Sequence, residues 1–242
     1  MKKEIMCAAI SLIMCVPFFS CEKNKDKEES KKTVHYDSDN ASQIELNQYL
    51  DDAVAANSGD AYLALADTAW KAQYWGSSED TINASLCYEA GVAAINGNGD
   101  YTVSVSADTE GFRYAVTGNP ETSYTPEGIE VLSVMIKDGE TKFPNAAITV
   151  NEIRVDGKAV ELTSKAYTSS DDGIDTKANI VNRWISSPSS DARCADGALY
   201  DENGKALELC EDYSPVIVSD EVFSKWSKIE VDFTVSGIDT NP

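Results

Sequence analysis

Lys228-Ile229-Glu230-Val231-Asp232-Phe233-Thr234-Val235-Ser236 (228–236) is the stretch whose reading decides the fold class. Ile229, Val231, Phe233 and Val235 fall on every second position and alternate with Glu230, Asp232 and Thr234, the pattern of a β-strand with one face buried. Tyr101, Val103 and Val105 alternate with Thr102, Ser104 and Ser106 in the same way. Ile148, Val150, Ile153 and Val155 run into Asp156-Gly157, after which Val160 and Leu162 resume, as a hairpin with a type I′ turn requires. The change of phase between Val150 and Ile153 predicts a bulge. Apolar runs at Ala61–Leu65, Ile129–Ile136, Asn179–Ile185 and Val216–Val218 supply further strands between Gly, Pro, Asn and Asp clusters. Many short strands at this spacing predict an all-β fold, a β-sandwich of jelly-roll type, over residues 58–242.

The chain before the sandwich carries an address. Lys2 and Lys3 precede an apolar run from Ile5 to Phe19, then Ser20 and Cys21. A charged start, a short apolar middle and a small residue at the cut make residues 1–20 a secretory signal, too short to span a bilayer, which takes about 20 apolar residues. Phe18-Phe19-Ser20-Cys21 resembles a bacterial lipobox, although Leu is usual where Phe18 stands. It predicts a lipid on Cys21 and a protein held to a cell membrane, facing outside the cytoplasm. Residues 21–41 read as a solvated tether, because Glu22–Thr33 has five Lys, four acids and no apolar residue. Residues 42–57 read as a short helix and linker. Ser42-Gln43-Ile44-Glu45 has the form of a capping box, and Leu46, Tyr49, Leu50, Ala53 and Val54 follow at helical spacing.

Charge and residue type narrow the chemistry. A formal net charge of −21 repels nucleic acid and anionic lipid head groups, which leaves the lipid as the expected membrane attachment. The single histidine, His35, lies in the tether, so no His-based triad or His-ligated zinc site is expected in the domain. A pair of carboxylates could still support glycoside hydrolysis, but among 41 acids no spacing selects a pair. Asp171-Asp172-Gly173-Ile174-Asp175, and the group Asp191, Asp196, Asp201 and Glu202, raise the question of calcium. Neither follows the EF-hand order of ligands, and Asx-rich turns account for both. The expectation is a non-enzyme without metal or cofactor. Of the cysteines beyond the signal, Cys194 and Cys210 would close a loop rich in Gly and Asp as a disulfide, leaving Cys87 as a buried thiol.

Aromatic residues carry the functional signal. In Asp67-Thr68-Ala69-Trp70-Lys71-Ala72-Gln73-Tyr74-Trp75-Gly76, three large aromatics follow a strand and mix with hydrogen-bonding groups. Sugar rings have apolar CH faces and polar edges, which indole and phenol platforms flanked by amides match. The same residues also suit a core, where Trp is largely buried on average.

Taken in order, the segments at 67–76, 97–105 (GNGDYTVSV), 143–162 (FPNAAITVNEIRVDGKAVEL), 171–185 (DDGIDTKANIVNRWI), 191–197 (DARCADG) and 214–235 (SPVIVSDEVFSKWSKIEVDFTV) resemble a known group of modules. They are similar to jelly-roll carbohydrate-binding modules of exported proteins and glycoside hydrolases from gut and rumen bacteria. The likeness runs from about Gly59 to Gly237, with extra residues around Ser77 to Ala90. It implies a β-sandwich and a glycan ligand, such as a polysaccharide. Trp70, Tyr74, Trp75 and Trp184 are then the candidate platforms, with Gln73, Asn182 and Arg183 as polar neighbours. An envelope protein binding another protein through the same face, and a carboxylate-dependent glycosidase, are the alternatives.

Overall fold

Alternating burial resolves the sequence into twelve strands. The computed structural model describes residues 56–76, 91–119 and 121–238, all within one compact unit. In chain order the strands are β1 (Asp60–Ala66), β2 (Gln73–Tyr74), β3 (Ala93–Ala94), β4 (Gly99–Ser106), β5 (Val131–Ile136), β6 (Ala147–Val155), β7 (Lys158–Ala159), β8 (Thr168–Asp171), β9 (Asp175–Asn182), β10 (Arg193–Cys194), β11 (Gly197–Ala198) and β12 (Lys228–Ser236). The larger sheet runs β11-β10-β8-β9-β5-β1-β2, with β3 also on β1; the smaller runs β4-β12-β6-β7. All pairings between these strands are antiparallel. Cys21, the tether, Cys87 and nearly all of the helix expected at 42–57 lie outside the described residues. Among the described residues, no helix is long and apolar enough to cross a membrane.

The stretch at 228–236 is the central strand of the smaller sheet. Ile229, Val231, Phe233 and Val235 are wholly buried, and burial of each contributes about 1.5–3 kcal/mol. Facing them across the core are Leu63, Leu65, Leu132, Val134, Ile136, Ala178 and Ile180 of the larger sheet, all in one apolar cluster. Two antiparallel sheets enclosing one core make an all-β sandwich. The expected bulge is present. Asp232 pairs with Glu152 and Phe233 with Val150, so Asn151 is the extra residue. The Asp156-Gly157 turn has φ of 50° and 74°, as type I′ demands at both central positions.

Three features depart from the sequence reading. Val216–Val218 forms no strand; Val216 makes an isolated bridge to Val181, and Pro215 before it has no N–H with which to extend a ladder. Glu110–Thr117 is a helix, started by Thr109, whose Oγ1 accepts from the Phe112 N–H. Phe112 is buried with its ring edge-on to Trp226 at 6.0 Å, which anchors the helix to the core. Cys194 and Cys210 both enter a small second cluster with Tyr167, Ala192 and Leu199, but both are free thiols and not the disulfide expected. Apolar packing closes this loop in place of a covalent bond.

Candidate functional site

Because side chains alternate across a strand, the larger sheet presents a second face, away from the shared core. Its register aligns Ala64 of β1 with Ser133 of β5 and Asn179 of β9, and Met135 of β5 with Lys177 of β9. These five residues, with Val131, Asn182 and Asp171, line a cleft of about 340 Å³. Trp70, Trp75, Trp184 and Ile185 complete it. Large apolar side chains exposed among the described residues are Trp70, Ile174, Trp184, Ile185 and Leu207, and three of these line the cleft. Concentration of exposed apolar surface at one polar-floored cleft makes it the candidate binding site.

Trp70 is put there by a tight loop built on Asp67. The Asp67 carboxylate is wholly buried and accepts from the N–H groups of Lys71 (2.8 Å) and Ala72 (3.2 Å) and from the Tyr124 hydroxyl (2.7 Å). Burial, and then this hydrogen bond to a carboxylate, push the Tyr124 hydroxyl up, so it remains a donor. The loop carries Trp70 at φ 54°, a left-handed conformation that costs roughly 1–2 kcal/mol outside glycine. Such strain persists only where surrounding bonds hold it. The Trp70 N–H donates to the Asp67 carbonyl at 3.0 Å, and Gln73 Nε2 donates to the Trp70 carbonyl at 2.7 Å. The Trp70 side chain is left 38% exposed.

Trp184 arrives from the end of β9. Its backbone N–H donates to Asn182 Oδ1 at 3.1 Å and its indole N–H to Glu130 Oε1 at 2.9 Å, which fix the ring while 67% of the residue stays exposed. The two indoles stand 5.2 Å apart, centre to centre, inclined at 35°. Trp75 is half-buried against the core, and Gly76 after it, at φ 83°, sits where a Cβ would come within 2.5 Å of the Tyr62 ring. That close approach lets the Tyr62 hydroxyl donate to the Trp75 carbonyl at 3.2 Å.

The floor is polar and internally bonded. Ser133 Oγ donates to Asn179 Oδ1 at 2.9 Å, and Asn179 Nδ2 and Asn182 Nδ2 approach Tyr167 and Asn179 at 3.5 Å each. Lys177 Nζ is ion-paired with Asp171 Oδ1. Asp171 is the one carboxylate among the described residues lining the cleft.

Of the residues singled out in the sequence, Trp70, Trp75, Trp184 and Asn182 come together in the cleft. Tyr74 is no platform: it is fully buried, its ring 5.4 Å from that of Tyr62. Gln73 lies off the lining and braces the Trp70 loop. Arg183 also lies off it, and its guanidinium reaches Asp220 at 2.7 Å and the Ile129 carbonyl at 3.3 Å. Sequence reasoning missed Ser133, Asn179 and Lys177. The available signal was a polar residue on alternate positions inside apolar runs, Ser133 in VLSVMI and Lys177 and Asn179 in TKANIV.

Carboxylates of the acidic clusters accept from backbone N–H groups, those of Asp175 and Asp191 from distant segments and that of Asp201 within its own turn. Asp175 Oδ1 accepts from the Asp138 N–H at 2.7 Å, Asp191 Oδ2 from Ser170 at 2.7 Å, and Asp201 Oδ1 from Asn203 and Lys205 at 2.9 Å each. Among the described residues, no group of three or more His, Cys, Asp or Glu is placed to hold a metal ion.

No protein family matches this sequence, and comparison with curated proteins and with solved structures finds no similar chain.

Proposed function

We propose that this protein is a membrane-anchored lipoprotein, facing outside the cytoplasm, whose sandwich binds a glycan without cleaving it. The observation that carries the reading is the exposed Trp70–Trp184 pair beside a floor of Ser133, Asn179 and Asn182. Indole faces give apolar area at low conformational cost, and the amides and hydroxyl offer donors and acceptors to sugar edges. A cleft of about 340 Å³ is at the small end of the ~300–1,000 Å³ range of ligand sites, which suits a short stretch of chain. Paired-carboxylate hydrolysis needs two acids about 5–10 Å apart across the ligand, whereas the acid lining this cleft is Asp171, held by Lys177. The resemblance to jelly-roll carbohydrate-binding modules supports the same ligand class.

The test is a glycan array with the purified protein, followed by calorimetric titration of any hit and a search for released sugar. Binding without release, weakened by Trp184→Ala, is the expected result. Release of reducing sugar from a bound glycan would make the protein a hydrolase, and an array without hits would end the glycan reading.

A further inference from the structure

Resting on the glycan reading, the chemistry of the cleft also narrows the ligand. We infer that the Asp171–Lys177 ion pair selects uncharged glycans over acidic ones. Lys177 is the one cationic residue in the lining among the described residues, and its ammonium would be the natural partner of a uronate or sulfate group. Asp171 occupies it. The Asp171 carboxylate comes from the last residue of β8 and meets Lys177 of β9 across the β8–β9 hairpin, so one hairpin carries both charges. The Lys177 side chain is 22% exposed, which screens it less than a surface lysine and makes its neutralisation matter more.

Every other polar group in the lining, namely Ser133, Asn179, Asn182 and the indole N–H groups, is neutral. The chain's net charge of −21 repels polyanions at long range. An acidic polysaccharide therefore meets repulsion on approach and no unpaired cation within the lining described. A neutral one meets neither obstacle, and the indoles and the amide and hydroxyl groups of the floor match its apolar face and polar edges.

Removing Asp171 leaves Lys177 free at the end of the aromatic cleft, which converts a neutral site to a cationic one by a single change.

The experiment measures binding of the purified protein to neutral glycans (β-glucan, xylan, mannan) and acidic ones (polygalacturonate, alginate). It compares wild type, Asp171→Asn, the double variant Asp171→Asn/Lys177→Gln, and Trp184→Ala. Wild type is expected to bind at least one neutral glycan, with affinity unchanged between about 0.05 and 0.5 M salt, where charge interactions are progressively screened. Asp171→Asn should raise affinity for acidic glycans roughly tenfold, a gain lost in high salt, and the double variant should abolish that gain. Melting temperatures of the variants check folding, and circular dichroism of the double variant supplies a second check. If wild type binds acidic glycans as well as neutral ones and Trp184→Ala removes both, the selectivity proposal fails while the glycan site stands. An unchanged preference in folded Asp171→Asn overturns it equally. If wild type binds no glycan of either kind, the glycan reading fails and this inference falls with it.

Discussion

The Trp70 and Trp184 indoles lie 5.2 Å apart although they come from a loop near the start of the domain and from the end of β9. Neither belongs to the apolar core, whereas Tyr74, four residues beyond Trp70, does. Position relative to the core therefore separates residues that look alike in the sequence.

Trp70→Ala and Trp184→Ala should each weaken ligand binding about tenfold and shift stability by no more than about 0.5 kcal/mol, the usual limit for surface changes. Alanine at Trp70 inherits the same left-handed backbone, so the loop's strain is not relieved or worsened greatly. Tyr74→Ala should instead cost about 3–5 kcal/mol, because it empties a fully buried aromatic site. Thermal melts and titrations on the three variants check this. A large loss of stability in Trp184→Ala would place that ring in the core.

Asp67 governs the placement of Trp70. Asp67→Ala leaves two backbone N–H groups and the Tyr124 hydroxyl without their acceptor, so it should destabilise the domain by about 3 kcal/mol or more and weaken binding together with stability. Asp67→Asn keeps an acceptor oxygen for the loop and an amide that can face Tyr124. It should cost about 1–2 kcal/mol and retain binding, since what it loses is the extra strength of a charged acceptor. Equal losses in the two variants would rule out this role.

Asp232 makes the acid stability of the domain pH-dependent. Hydrogen bonds from Arg154, and next from Thr102, hold its carboxyl below the usual carboxylate range. A depressed folded-state pKa means that the unfolded chain binds the proton first as pH falls. The stabilisation is thus complete above the unfolded value near about 4 and is lost as pH drops through the lower folded value. The Tm difference between wild type and Asp232→Asn should be largest near neutral pH and close toward about pH 3, remaining modest because the group is partly exposed. A difference that widens on acidification would contradict the sign.

Lipidation of Cys21 is tested by Cys21→Ser. The variant should leave the membrane fraction and fail to incorporate a palmitate analogue. Continued labelling would assign the lipid elsewhere.

Sequence alone determined the fold class and the central strand of the smaller sheet. Period-two alternation at 228–236 needs no partner to be read, because the pleat forces neighbouring side chains to opposite faces. The Asp156-Gly157 turn and the bulge at Asn151 were legible for the same reason: φ > 0 and an extra residue each leave a local mark. The helix at Glu110–Thr117 was not legible, since eight residues are too few for its period to stand out, and its anchor is the tertiary contact of Phe112 with Trp226. The cleft belongs wholly to tertiary structure. Antiparallel register, set by the burial of Leu63, Leu132 and Ile180 on the inner face, aligns Ala64, Ser133 and Asn179 on the outer one. Which of Trp70, Tyr74, Trp75 and Trp184 meets solvent was likewise decided by packing: composition shows that an aromatic is present, and only its neighbours in space determine whether its face is free.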